Sequence, residues 1–167
     1  MTEPPFIETE ARLAGAASLH IVAFRPHHLT WMQLREPGRS ELLSAGASPE
    51  SLALRGPSVT LADGDGTPVA ALGLVPLWPG VAEAWVLTGS RVTGHVHAFH
   101  RLVRRHLADA PRRFTLHRIQ ASVRADSVVA RRWALALGFR EEGLMPAYGP
   151  DQADYHRVAY LPKETHT

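Results

Sequence analysis

Two groups of residues in this chain have types and spacing suited to chemistry. The first is Arg91-Val92-Thr93-Gly94-His95-Val96. It lies between a strand-like run, Glu83-Ala84-Trp85-Val86-Leu87-Thr88, and a long amphipathic segment. A helix start of this kind suits a phosphate. The free N–H groups of the first turn point at the anion, and glycine lets the backbone approach it. Arg91, Thr93 and His95 can add charge or hydrogen bonds. The bland alternative for Arg91 is a surface loop arginine. The second group is a set of proton-transfer candidates: Glu83, Glu141, Glu142 and Tyr148. Glu83 lies on the strand that leads into the first group, with a solvent-facing strand carboxylate as its alternative. His95, His97 and His100 invite a metal reading, but residues two apart on a helix do not share a face. His97 and His100 do share one, yet no carboxylate lies suitably near, so no metal is expected.

These residues need elements to position them. Ser18–Phe24 reads as a first strand, followed by a short helix over His28–Leu34 and a second over Glu41–Ala45. Ser48-Pro49 starts a third helix that runs to Arg55, with proline at its first position. Ser58–Ala62 and Val69–Val75 are strands joined by the turn Asp63-Gly64-Asp65-Gly66, where glycine accepts positive φ. Pro79-Gly80 turns the chain into the strand Glu83–Thr88. A helix over Gly94–Ala108 follows, with Val96, Phe99, Leu102, Val103 and Leu107 at helical spacing and Pro111 beyond its end. A strand over 117–123, a helix over 127–137 and strands over 139–148 and 154–161 complete the order. Runs of antiparallel strands with two crossover helices predict an α+β fold: a mixed, mostly antiparallel sheet of about six to seven strands flanked by helices.

The chain has 167 residues, which fits one domain over 1–167 with residues 1–16 as an N-terminal arm. It has no cysteine, which excludes disulfides, thiolate metal sites and a cysteine nucleophile and suits a reducing cytoplasm. No apolar run reaches the ~20 residues of a membrane helix, and Met1-Thr2-Glu3-Pro4-Pro5 opens no secretory signal. Of 18 basic residues only Lys163 is lysine, and arginines crowd the stretch from Arg101 to Arg140. Such a region suits a phosphate-bearing cofactor or a nucleic acid. It also fits the codon bias of a GC-rich genome. No recognition motif accompanies the arginines, so nucleic acid is not an expected partner.

Arg131-Arg132-Trp133-Ala134-Leu135-Ala136-Leu137-Gly138-Phe139 ends the last helix and opens a strand. Together with the element order, it resembles the C-terminal half of the GNAT acyltransferase superfamily. Arg132-Trp133, Leu137-Gly138-Phe139, Glu142-Gly143, Tyr148-Gly149 and Asp154-Tyr155 are similar to the divergent GNAT-like proteins of phages and prophages. The resemblance implies a cytoplasmic N-acetyltransferase with acetyl-CoA as donor and an amine of unknown identity as acceptor. Its alternative is an inactive binding or virion-associated module. It implies backbone groups at Leu87 and Thr88 that orient the acyl carbonyl. It also implies a pyrophosphate held by Arg91, Val92, Thr93, Gly94, His95 and Val96, where Arg91 and Gly94 match Gln/Arg-x-x-Gly-x-Gly/Ala and Val96 departs from it. Ser127, at a position often held by Asn, is a secondary cofactor contact. Ala134 stands where the superfamily has a tyrosine that protonates the thiolate, which leaves Tyr148 as substitute acid and Glu83 as base. Dimerisation is a further expectation, since many proteins of this fold pair through helices or end strands.

Overall fold

The computed structural model describes residues 18–36, 38–44 and 46–163. The expected N-terminal arm lies outside these residues, as does Ala45, the expected end of the second helix. The elements are β1 (His20–Ala23), α1 (Pro26–Trp31), α2 (Gly38–Ser44), α3 (Pro49–Arg55), β2 (Ser58–Ala62), β3 (Pro68–Trp78) and β4 (Val81–Thr88). A 3-10 turn (Ser90–His95) then leads to α4 (Val96–Arg113), β5 (Arg118–Arg124), α5 (Val128–Leu137), β6 (Arg140–Met145) and β7 (Tyr155–Tyr160). The strands form one seven-stranded sheet in the order β1-β2-β3-β4-β5-β7-β6. β4 and β5 pair parallel, whereas β1–β2, β2–β3, β5–β7 and β6–β7 pair antiparallel. This is the α+β architecture the element order predicts. No helix among the described residues is long and apolar enough to cross a membrane.

The chain divides into two compact units. The first runs to Gly73 and adds Val86–Phe99; the second comprises Leu74–Trp85 and the chain from His100 onward. In the first unit, β2 and the start of β3 are buried on both faces, from Val59 to Ala62 and from Val69 to Ala71. α1 adds Leu29, with Met32 just beyond its end, and α3 adds Leu52. Ser48 caps α3, its hydroxyl accepting from the Ser51 N–H at 3.1 Å.

The second unit is built around β5, which pairs with β7 from Ile119↔Tyr160 to Arg124↔Tyr155. Ile119 and Val158 are fully buried. Ser127 caps α5 through the Ala130 N–H. Gly138 ends that helix at φ 103, a left-handed conformation that favours glycine. The Leu-Gly-Phe signature thus has a mechanical meaning: Leu137 and Phe139 are buried, and Gly138 reverses the chain between them. Phe139 packs on Tyr160 with ring centroids 5.9 Å apart.

Several expected boundaries shift: α1 starts before His28 and ends before Leu34, and β3 runs on to Trp78 rather than Val75. α4 does not stop before Pro111 but carries it inside, ending at Arg113. Proline removes one backbone bond, yet Leu107, Ala110 and Pro111 are buried there, and Phe114 N–H donates to the Ala110 carbonyl at 2.9 Å. Packing of the last turn outweighs the missing bond. β6 ends at Met145, so Tyr148 falls in the turn after it rather than in the strand.

Candidate active site

In the first unit, the end of β4 is pinned by the segment after α1. Leu34 bridges Gly89, the Arg35 N–H donates to the Thr88 carbonyl at 2.9 Å, and the Ser90 N–H donates to the Gln33 carbonyl at 3.1 Å. The Ser90 hydroxyl also reaches Gln33 Oε1 at 3.2 Å. Gly89 allows this approach, because a Cβ there would collide with the Met32 carbonyl oxygen. The 3-10 turn then presents its residues unequally. Val92 is buried and anchors it, whereas Arg91, Thr93, Gly94 and Val96 are exposed. Gly94 has no positive φ, and a Cβ there would meet nothing within 4 Å.

Arg91 is also held from below. Its Nη1 donates to Asp63 Oδ2 at 2.8 Å, while Asp63 Oδ1 accepts the N–H groups of Asp65 and Thr67, each at 3.0 Å. Burial pushes the Asp63 carboxyl up. The Thr67 N–H, the Arg91 guanidinium and the Asp65 N–H outweigh that and hold it below the usual carboxylate value.

In the second unit, Arg118, Gln120, Ser122 and Arg124 alternate along β5 and so share one sheet face. Glu83 sits across from Gln120, and Arg157 across from Ser122. Arg157 Nη1 donates to both Glu83 oxygens at 2.8 Å. Gln120 Nε2 and the Ser122 hydroxyl donate to the same carboxylate at 2.9 and 3.2 Å. Gln120 in turn accepts from Arg118 Nε at 2.9 Å, and Arg118 forks onto Glu142. Both carboxylates of this network, Glu83 and Glu142, are therefore matched to arginines. That guanidinium pulls the Glu142 carboxyl below its usual range. Parallel β4–β5 pairing ends at Glu83↔Gln120, although β4 continues to Thr88.

Leu87, Thr88 and residues 91–96 thus lie together in the first unit, while Glu83, Ser127 and Tyr148 belong to the second. Leu87 and Val92 are buried, so their side chains face the core. Tyr148 is 53% exposed and stands edge-on to Tyr155, ring centroids 5.5 Å apart. Trp133 donates its indole N–H to His100 Nδ1 at 3.2 Å, and Ala134 is buried. Sequence reasoning missed Arg157, Gln120 and Ser122 as partners of Glu83. The period-two polar pattern of β5 was the available signal. It also missed Asp63, which it read only as the start of a turn.

No protein-family profile matches the chain, and no curated protein matches it in sequence. Solved structures do match. A GNAT-family acetyltransferase from Bacillus anthracis superposes with a TM-score of 0.68 at 14% identity, covering 90% of this chain and 98% of that one. The ribosomal-protein-S5-alanine acetyltransferase from Vibrio fischeri gives 0.69 at 13%, with 95% and 98% covered. A point mutant of the spermidine N-acetyltransferase from Vibrio cholerae gives 0.66 at 17%, with 86% and 94% covered. At these identities the likeness is one of fold, and the chain has the GNAT acetyltransferase fold.

Two glycines five residues apart should respond oppositely to alanine. Gly89→Ala places a methyl group against the Met32 backbone and should destabilise the protein by about 2 kcal/mol or more. Gly94→Ala enters open space and should change stability by no more than about 0.5 kcal/mol. Urea unfolding of the two variants checks both.

Proposed function

We propose that the protein is an acyl-CoA-dependent N-acetyltransferase that moves the acetyl group of acetyl-CoA to an amine. The observation that carries this reading is Gly94. Neither backbone conformation nor crowding requires glycine there. A glycine on the exposed side of the turn that opens α4 instead lets a phosphate approach the backbone at the positive end of the helix. The residues fit the donor: Arg91 and Thr93 are exposed beside that glycine. Acetyl-CoA would supply an activated thioester. Arg91 and the turn from Thr93 to Val96 would hold its pyrophosphate. The Thr88 carbonyl is committed to Arg35, so N–H groups at Leu87 and Thr88 are the ones proposed to polarise the acyl carbonyl.

Proton transfer is assigned less directly than the sequence implies. Glu83 already accepts four hydrogen bonds, about the capacity of a carboxylate. We assign it the fixing of a polar floor and the ordering of water that carries the amine proton away. Tyr148, exposed and outside the strand, is the proposed acid for the leaving thiolate. A second reading, acetyl-CoA binding without turnover, is favoured by Ala134, because no proton donor stands at that position.

Thermal unfolding tests the reading first. Acetyl-CoA should raise the midpoint in a dose-dependent way, by about 2.7 kcal/mol of stabilisation at a hundredfold excess over Kd. Gly94→Trp should abolish the rise, and Val96→Ala should enlarge it. No rise in the wild-type protein at millimolar cofactor would sink the proposal. A rise without turnover on any amine would move the weight to the second reading.

Once an acceptor is found, Glu83→Gln should lower kcat by roughly tenfold, below the ~10²–10⁴-fold cost of losing a direct general base. Rate loss inside that larger range would restore Glu83 as the base. Because Glu83 and Glu142 are both matched to arginines, no carboxylate of this floor is left for a second ammonium group. Spermidine should therefore be a poor acceptor beside a monoamine. An acetylation assay giving spermidine the higher kcat/KM would contradict this.

A further inference from the structure

Asp63 is the only charged residue that is buried among the described residues, at 5% exposure. A buried carboxylate is costly unless each oxygen finds a donor. Asp63 finds three, and they divide by function. Oδ1 takes the N–H groups of Asp65 and Thr67 and closes the β2–β3 turn. A neutral asparagine would serve that purpose equally well. Oδ2 is given to Arg91 Nη1 at 2.8 Å. The charge of Asp63 therefore has one use, which is to hold Arg91.

Arg91 does not need holding for the sake of the fold. Its side chain is 55% exposed, so water could solvate the guanidinium without Asp63. The backbone on either side of it is already fixed, by Ser90 bonded to Gln33 and by buried Val92. Asp63 adds direction. With Nη1 anchored, the planar fork keeps its Nε and Nη2 donors on the side away from Asp63, three residues before the unobstructed Gly94.

We infer that Asp63 is a positioning residue for the phosphate-bearing end of the acyl donor, acting through Arg91. This rests on the acetyl-CoA reading above. The gain is preorganisation: a long, rotamer-rich side chain is ordered before the ligand arrives, so its ordering is not charged against binding. The ligand chemistry it serves is a diphosphate ester. S-acetyl-pantetheine, which lacks the phosphates, gains nothing from it.

The test is calorimetric titration of acetyl-CoA into wild-type protein, Asp63→Asn, Arg91→Gln and the double variant, with unfolding midpoints of the free proteins beside it. Asp63→Asn should weaken acetyl-CoA on the order of tenfold, and in the Arg91→Gln background the same change should have little further effect, as expected of directly coupled residues. S-acetyl-pantetheine, followed by its midpoint shift at millimolar concentration, should not distinguish Asp63→Asn from wild type. Arg91→Gln leaves Asp63 Oδ2 without its donor and should lower the unfolding midpoint, a cost that Asp63→Asn relieves in the double variant; the midpoints of the free proteins thus keep folding apart from binding. An unchanged Kd in Asp63→Asn overturns the inference, as does an equal loss for both thioesters or an effect that persists without Arg91. If the wild-type protein itself does not bind acetyl-CoA, the functional reading fails. If it binds and Asp63→Asn binds equally, only this inference fails.

Discussion

The candidate site depends on a steric constraint at Gly89. Leu34 can bridge this residue only because no side chain stands between it and the Met32 carbonyl. That approach commits the Thr88 carbonyl to Arg35 and the Ser90 N–H to Gln33. It therefore fixes where β4 stops and where the 3-10 turn begins. Residues 91–96 inherit their directions from it: Val92 turns inward, and Arg91, Thr93 and Gly94 turn outward. Gln33 adopts φ 50, an uncommon conformation for a residue with a side chain. The hydrogen bonds to Ser90 are what hold it there.

The second unit solves a different problem. A sheet face carrying four polar side chains on one strand has to satisfy them without a core. Here Arg118, Gln120, Ser122, Glu83 and Arg157 satisfy one another across three strands, and Glu142 joins from a fourth. Such a network holds its members in fixed orientations, since moving one strands the others. It also leaves both oxygens of Glu83 already accepting hydrogen bonds. A carboxylate well placed in sequence for proton transfer is, in the folded chain, the member on which three donor side chains converge.

Local rules made most of the fold legible. The turn at Asp63–Gly66, the helix start at Ser48-Pro49 and the helix stop at Gly138 each follow from a few adjacent residues. The misreading of Pro111 shows where local rules fail. Proline stops a helix unless burial of the surrounding turn compensates, and burial is a tertiary property. The candidate site divides the same way. The turn from Arg91 to Val96 could be read because its logic is contiguous. The partners of Glu83 lie 37, 39 and 74 positions away, and only strand register brings them together. Asp63 and Arg91, 28 apart, were out of reach for the same reason.

The glycines sharpen the distinction between what a fold requires and what it leaves free. Gly138 is held by its positive φ and Gly89 by a neighbouring backbone. Either residue would be glycine in a protein of this architecture with no ligand at all. Gly94 is held by neither constraint, yet glycine there carries an entropic cost relative to alanine. A residue that costs stability and relieves no strain points to something outside the chain. In the reading proposed above, it is the pyrophosphate of acetyl-CoA, beside the anchored guanidinium of Arg91. An exposed glycine beside an oriented, permanently charged fork complements an oxyanion far better than it does a cation or an apolar group.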